Sequence, residues 1–145
     1  MTLREVTGFF ETYRDAFNRL DGDAVADLWH GASGIADSRD GVGRLTWWPD
    51  DAPMRANHRA LCEVYRGADY GRADFEIVHH EPMGANHAFV HLQWTLQRLD
   101  GSPLQRFGTG YQLMRSGDGV RVLLAVAHQE DLRAMRGSAP AAPPA

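Results

Sequence analysis

Apolar residues in the first twenty positions recur every three or four residues, the period of a helix with one buried face. The residues of this stripe are Leu3, Val6, Phe9, Phe10, Tyr13, Phe17 and Leu20. Thr2 and Glu5 have the spacing of a capping box, in which each side chain bonds to the other residue's backbone N–H. The pattern therefore predicts a helix that begins directly after Thr2 and packs one face against a core.

The stripe is interrupted by a glycine between two aspartates, which predicts a break and a second, shorter helix. Gly22 suits the left-handed position past the end of a helix, and Asp23 is predicted to cap a helical segment that reaches His30. The following stretch, 31–52, is rich in glycine and aspartate and has no clear period. A short hairpin is predicted within it, with residues 38–43 as its turn.

A third helix is predicted from Asp50 or Asp51 to Gly67, because Pro53 suits the first turn and Gly67 suits the end. Helical spacing places four residues on one side, namely Met54, His58, Leu61 and Tyr65. This side is predicted to be buried.

After Arg72 the spacing of apolar residues changes from every three or four positions to every second position. A spacing of two is typical of strands with one buried face. The clearest alternation is Val90, Leu92, Trp94 and Leu96, followed by Phe107, Thr109, Tyr111 and Leu113. Asp100-Gly101 is a strong hairpin signal, and residues 116–119 form a further predicted turn. The second half of the chain is thus predicted to be a meander of four long strands.

The last of these strands, 120–127, is apolar on both faces, unlike its neighbours. An antiparallel strand with one solvated face should alternate, so both faces of this strand are expected to be covered. The predicted helices cover one face. A homodimer that packs sheet to sheet is predicted to cover the other.

The composition of the 145-residue chain is that of one globular domain, assigned to residues 1–136, with a disordered Ala/Pro-rich tail at 137–145. The net charge is -4 and the arginines are scattered, so no nucleic-acid partner is expected. The single cysteine, Cys62, excludes an internal disulfide and fits a reducing compartment. Because the sequence has neither a signal-peptide pattern nor an apolar run of about 20 residues, we expect a cytoplasmic protein without a membrane partner.

Three helical segments followed by a meander of strands resemble the NTF2-like superfamily, the α+β cone, over residues 3–131. The pattern is most similar to the SnoaL-like and steroid Δ-isomerase-like members. The resemblance rests on Tyr13, on Asn18-Arg19-Leu20-Asp21, on Ile35-Ala36-Asp37 and on a third-helix segment at 60–65. It implies three N-terminal helices packed on a curved, mostly antiparallel sheet.

The resemblance also implies catalytic roles. The isomerases use an aspartate as proton shuttle, while a tyrosine and a second, protonated aspartate hold the enolate oxygen. Carried over, Tyr13 would be the hydrogen-bond donor and Asp37 the base, whereas the place of the second acid falls at Thr109, whose hydroxyl is not a strong acid.

His128 shares parity with Val122, Leu124 and Val126 at the strand end, where the cone has its mouth or rim. It is predicted to be a pocket residue, and the alternative is a rim histidine near the dimer contact. A Tyr-Asp-His set resembles the scytalone dehydratase-like members.

Aromatic residues are predicted to wall a pocket for a flat, hydrophobic small molecule. The assigned ligand-binding residues are Trp29, Trp48, Trp94, Phe107, Thr109 and Tyr111. On an extended chain only one of Trp47 and Trp48 can face inward. The alternative for this set is a filled core without a cavity, and for Asp37 a turn residue that accepts backbone hydrogen bonds.

The histidines do not have the spacing of a metal site, since adjacent histidines on a strand point to opposite faces and no HExxH motif is present. Neither a metal nor an organic cofactor is therefore expected. The predicted function is binding of a small hydrophobic molecule, with isomerisation, cyclisation or dehydration as the reaction class if there is turnover. The alternative is a non-catalytic dimerisation or ligand-carrier module with a vestigial pocket.

Overall fold

The computed structural model describes residues 1–128, which form the helices and strands of one α+β unit. In chain order these are α1 (Leu3–Asn18), α2 (Gly22–Ala26), β1 (Trp29–Arg39), β2 (Val42–Trp48), α3 (Asp51–Gly67), β3 (Tyr70–Met83), β4 (His87–Arg98), β5 (Pro103–Ser116) and β6 (Gly119–His128). No helix in this part of the chain is long and apolar enough to cross a membrane. The predicted tail at 137–145 lies outside the described residues.

The strands form one curved, open sheet in the order β2-β1-β6-β5-β4-β3. β1 and β6 run parallel, and the other neighbouring strands are antiparallel. The inward residues of β4 are buried at every second position, from Ala88 to Leu96, as the period of two predicts. The predicted α+β class, with three helices on a mostly antiparallel sheet, is confirmed.

The core lies between the helices and the concave face of the sheet. Most of the α1 stripe is buried there, although Leu3 at its start is 53% exposed. The ring of Phe10 lies 4.8 Å from that of Tyr111 and 6.2 Å from that of Phe75. Thr2 caps α1 by accepting a hydrogen bond from the backbone N–H of Glu5 at 3.2 Å, so the predicted start of this helix is confirmed.

The junction between α1 and α2 differs from the prediction. Leu20, not Gly22, occupies the left-handed region with φ 51°. Asp21, not Asp23, caps α2 by accepting from the N–H of Ala24 at 3.0 Å. Gly22 is needed for close packing instead, because a Cβ there would lie 2.7 Å from the Cα of Arg59 on α3. The helix ends at Ala26 rather than at His30, where β1 has already begun.

The hairpin of β1 and β2 is longer than predicted. Its turn is Asp40-Gly41, with φ 53° and 77°, as in the two-residue turns that suit twisted hairpins. The Asp-Gly signal was present in the sequence, but the surrounding strands lack the regular alternation that would identify them. Small residues such as Gly34 replace apolar ones there, because the side chain of Trp47 lies across that position.

Candidate functional site

A cavity of about 70 Å³ lies between the helices and the concave face of the sheet. Its walls are mostly aromatic and aliphatic. The lining residues are Tyr13, Phe17, Trp29, Ile35, His58, Leu61, Tyr65, Tyr70, Ala73, Trp94, Leu96, Phe107, Thr109, Tyr111, Ala125 and Ala127. This volume is about half of the roughly 150 Å³ that holds benzene in an engineered protein cavity. The site therefore accepts a single-ring molecule only if its walls adjust.

Two buried indole N–H groups of the cavity wall donate hydrogen bonds to two phenols of the same wall. Trp29 Nε1–H donates to the hydroxyl of Tyr13 at 3.2 Å, and Trp94 Nε1–H donates to the hydroxyl of Tyr111 at 3.0 Å. Burial, followed by the neighbouring Tyr111, raises the pKa of Tyr13 well above its usual value. Tyr13 is therefore a neutral phenol near neutral pH, able to donate or accept a hydrogen bond but not to supply a charge.

His58 reaches the cavity from α3 and is only 1% exposed. Its ring lies 4.5 Å from that of Trp29 and 5.9 Å from that of Trp48. Neither ring nitrogen has a hydrogen-bond partner among the described residues. Burial, and secondarily the Arg55 guanidinium, lowers the pKa of His58 to about 4. The imidazole is therefore neutral near pH 7, with one donor and one acceptor.

An arginine on α3 holds the helix that carries His58 against α2. Arg55 donates to Asp51 on its own helix and to Asp23 and Asp27 at the other side of the junction, at 2.9–3.3 Å. These groups are partly exposed, so the network contributes modestly to stability. Its effect on the site is to fix the position of α3.

Asn18, at the end of α1, fixes one wall of the cavity to the sheet. Its Oδ1 accepts from the hydroxyl of Tyr70 at 2.7 Å and from the backbone N–H of Ala73 at 2.8 Å. Both partners line the cavity. The asparagine of the sequence motif is therefore a structural link between α1 and β3.

The structure does not bring Asp37 into the cavity with Tyr13. Asp37 follows Ile35 on the same face of β1, but it lies beyond the lining residues, and its side chain remains 34% exposed. Its carboxylate pairs with the guanidinium of Arg39 at 3.7 Å. The predicted placement was wrong because β1 extends past the cavity, where the carboxylate keeps its hydration.

His128 is also outside the cavity, on the opposite face of the sheet. The register pairs Leu113 with Val122 but Gln112 with Leu124, so β6 contains one extra residue, Leu123. This bulge reverses the parity of all following residues. The ring of His128 consequently lies over Gly108 on the outer face.

On that outer face His128 meets a second histidine. The Nε2 atoms of His128 and His91 are 2.9 Å apart, so one ring donates to the other according to the tautomer. Within residues 1–128, no group of three or more potential metal-binding side chains is present.

Five of the six predicted ligand-binding residues line the cavity, namely Trp29, Trp94, Phe107, Thr109 and Tyr111. Trp48 faces inward but lies behind the wall, 6.3 Å from the ring of Trp29. The residue that sequence reasoning missed is His58. The available signal was a histidine on the otherwise apolar stripe of α3.

Comparisons with known proteins identify a family. The model of the family described as NTF2-like protein (DUF6841) matches residues 4–130. Among curated proteins, no significantly similar sequence was found.

Solved structures have the same fold at low sequence identity. A domain of unknown function with a cystatin-like fold from Nostoc punctiforme has a TM-score of 0.68 and 12% identity, covering 90% of this chain and 80% of that one. A putative calcium/calmodulin-dependent protein kinase type II association domain from Thiobacillus denitrificans has a TM-score of 0.65 and 17% identity, with coverages of 86% and 94%. A ketosteroid isomerase-like protein from Erwinia carotovora atroseptica has a TM-score of 0.62 and 16% identity, with coverages of 89% and 96%.

Proposed function

The chain belongs to the NTF2-like protein (DUF6841) family, and we propose that it binds a small, largely apolar molecule in the cavity. The observation that carries this proposal is the wall itself, in which aromatic rings surround a few uncharged polar groups. Tyr13, His58 and Thr109 are among these polar groups. Apolar walls with a few convergent polar groups are the usual composition of ligand sites.

The arrangement supports binding more than proton transfer. No carboxylate is among the described lining residues, and Asp37 is paired with Arg39 outside the cavity. Acid-base turnover would need a base beside the ligand, and the lowered pKa of His58 makes it a weak one. The proposal is therefore a ligand-binding or carrier domain, and cofactor-independent turnover is the secondary reading.

The experiment that tests binding is a titration with benzene, followed by backbone amide shifts in two-dimensional NMR. Ala125→Leu should fill the cavity and weaken benzene binding by about tenfold or more, because in a closely packed site even one added methylene group takes up space that the ligand needs. Ala60→Leu adds the same atoms on the exposed side of α3 and should leave binding unchanged. Shifts that do not cluster on the lining residues, or equal affinities in both variants, would contradict the proposal.

We also propose that the outer face of the sheet pairs with a second copy of the chain. Leu45, Trp47 and Val126 are 64%, 53% and 43% exposed there. Ala36 pairs with Leu45 on one side and with Val126 on the other, so these apolar side chains are contiguous across three strands. A contiguous exposed apolar area is typical of an interface, and a two-fold axis would lay it against itself.

Sedimentation velocity tests the dimer. Trp47→Glu should convert a dimer into a monomer by placing a charge in the apolar contact. Leu99→Glu is the matched control, because Leu99 is 77% exposed in the turn between β4 and β5. A monomeric wild-type protein, or a dimer that survives Trp47→Glu, would refute this interface.

The proposed location is cytoplasmic, as expected from the sequence. The single cysteine supports this because Cys62 is a free thiol, as is usual in a reducing compartment. Burial raises the pKa of this thiol to about 11. Such a thiol is unreactive and acts as a small apolar side chain.

A further inference from the structure

His58 combines three properties that set it apart among the described lining residues. It is almost completely buried, it faces the cavity, and both of its ring nitrogens lack a partner in residues 1–128. Buried polar groups are nearly always hydrogen-bonded, so a buried imidazole whose two ring nitrogens have no partner among residues 1–128 indicates that a group other than these residues completes its bonding.

The surroundings of His58 specify the charge of that partner. The rings of Trp29 and Trp48 flank the imidazole, and the described cavity wall contains no aspartate, glutamate, lysine or arginine. A charged ligand would lose its hydration without gaining a counter-charge. An uncharged ligand avoids that cost.

The hydrogen-bonding capacity of His58 specifies the polar group. A neutral imidazole presents either an N–H donor or a bare nitrogen acceptor to the cavity, depending on the tautomer. A hydroxyl group can bond to either nitrogen, whereas a carbonyl can bond only to the N–H. The aromatic walls and the small volume favour a single ring as the remainder of the molecule.

We propose that His58 recognises the polar group of the ligand and that the ligand is a small uncharged aromatic molecule bearing a hydroxyl group. This inference rests on the binding function proposed above. His58 is then a specificity-determining residue, because it separates a hydroxylated ring from an apolar ring of the same shape.

The probes that test this are phenol and toluene, which differ by a hydroxyl in place of a methyl group. Dissociation constants for both are measured by NMR with wild-type protein, His58→Phe and Thr109→Val. The preference for phenol, expressed as the ratio of the two constants, should fall about fivefold in His58→Phe, the value of one hydrogen bond. Thr109→Val removes another hydroxyl from the same cavity and should lower the ratio less than His58→Phe does. The control is His79→Phe, measured in the same way: His79 is 54% exposed and does not line the cavity, so this variant should leave the ratio unchanged.

A direct measurement on the wild-type protein removes any dependence on the folding of the variant. Long-range ¹H–¹⁵N correlation of the His58 ring should show one ring nitrogen shifting on addition of phenol and not on addition of toluene. If phenol shifts the amides of the lining residues but neither ring nitrogen, His58 is not the recognition residue.

The outcomes separate this inference from the function on which it rests. If neither probe perturbs the lining residues, the binding function itself is wrong. If both bind and the ratio is the same in wild-type protein and His58→Phe, binding stands and the role of His58 is refuted. A ratio that falls more in Thr109→Val than in His58→Phe would assign recognition to Thr109.

Discussion

The indole N–H of Trp29 donates to the phenol oxygen of Tyr13 at 3.2 Å, joining the start of β1 to the middle of α1. Both residues are buried and both line the cavity. The bond therefore has two consequences. It satisfies a buried donor, and it fixes the orientation of the Tyr13 phenol in the cavity wall.

Tyr13→Phe should destabilise the protein by about 1–3 kcal/mol, because it leaves the N–H of Trp29 buried without its acceptor. The measurement is urea unfolding followed by circular dichroism. In a Trp29→Phe background that donor is absent, so the same substitution should cost clearly less. Equal costs in both backgrounds would show that the bond does not contribute to stability.

Gly22→Ala should destabilise the protein by about 1–3 kcal/mol, since the added Cβ would lie 2.7 Å from the Cα of Arg59 and force α2 away from α3. Gly8→Ala is the matched control. It lies on the exposed side of α1 with nothing within 4 Å of the added Cβ, and it should stabilise by about 0.5–1 kcal/mol. Thermal unfolding of both variants compares them, and a neutral Gly22→Ala would contradict the close packing.

Acidification should weaken the fold through His58. Its pKa is about 4 in the folded protein against 6.5 as a free side chain, so the unfolded chain takes up the proton first. Above pH 6.5 His58 is neutral in both states and does not reduce the free energy of unfolding. As the pH falls towards 4, protonation of the unfolded chain lowers the free energy of unfolding by about 3 kcal/mol. Urea unfolding at several pH values should therefore show a steeper loss for wild-type protein than for His58→Phe. Parallel curves would mean that His58 is not titrating in this way.

Asp37→Asn should leave binding of benzene unchanged and alter the free energy of unfolding by less than about 1 kcal/mol, as for other partly exposed ion pairs. The reason is that Asp37 is paired with Arg39 outside the cavity. An NMR titration with benzene checks this. A tenfold weaker affinity would place Asp37 at the site after all and revive its assignment as a base.

The regular spacing of apolar residues along the sequence made much of the fold predictable. The stripe on α1, the face of α3 that carries His58 and the alternation in β4 each reflect burial against one core. The structure confirms all three except at Leu3, which is 53% exposed. The pocket residue Trp94 followed from that alternation, and Thr109 followed from the corresponding alternation in β5. The hairpin of β1 and β2 was harder to predict, because its glycines and polar residues reflect close packing and solvent rather than a period.

Local order was enough to identify α1, α3 and the strands β3 to β6, since side-chain spacing and turn chemistry act over a few residues. The tertiary structure alone decided which polar side chains meet. A single extra residue at Leu123 turns His128 to the outer face, and the length of β1 carries Asp37 past the cavity. Both depend on strand register, which is set by packing between segments far apart in the chain. The same packing buries His58 in the cavity without a partner among residues 1–128, a property that no local pattern reveals.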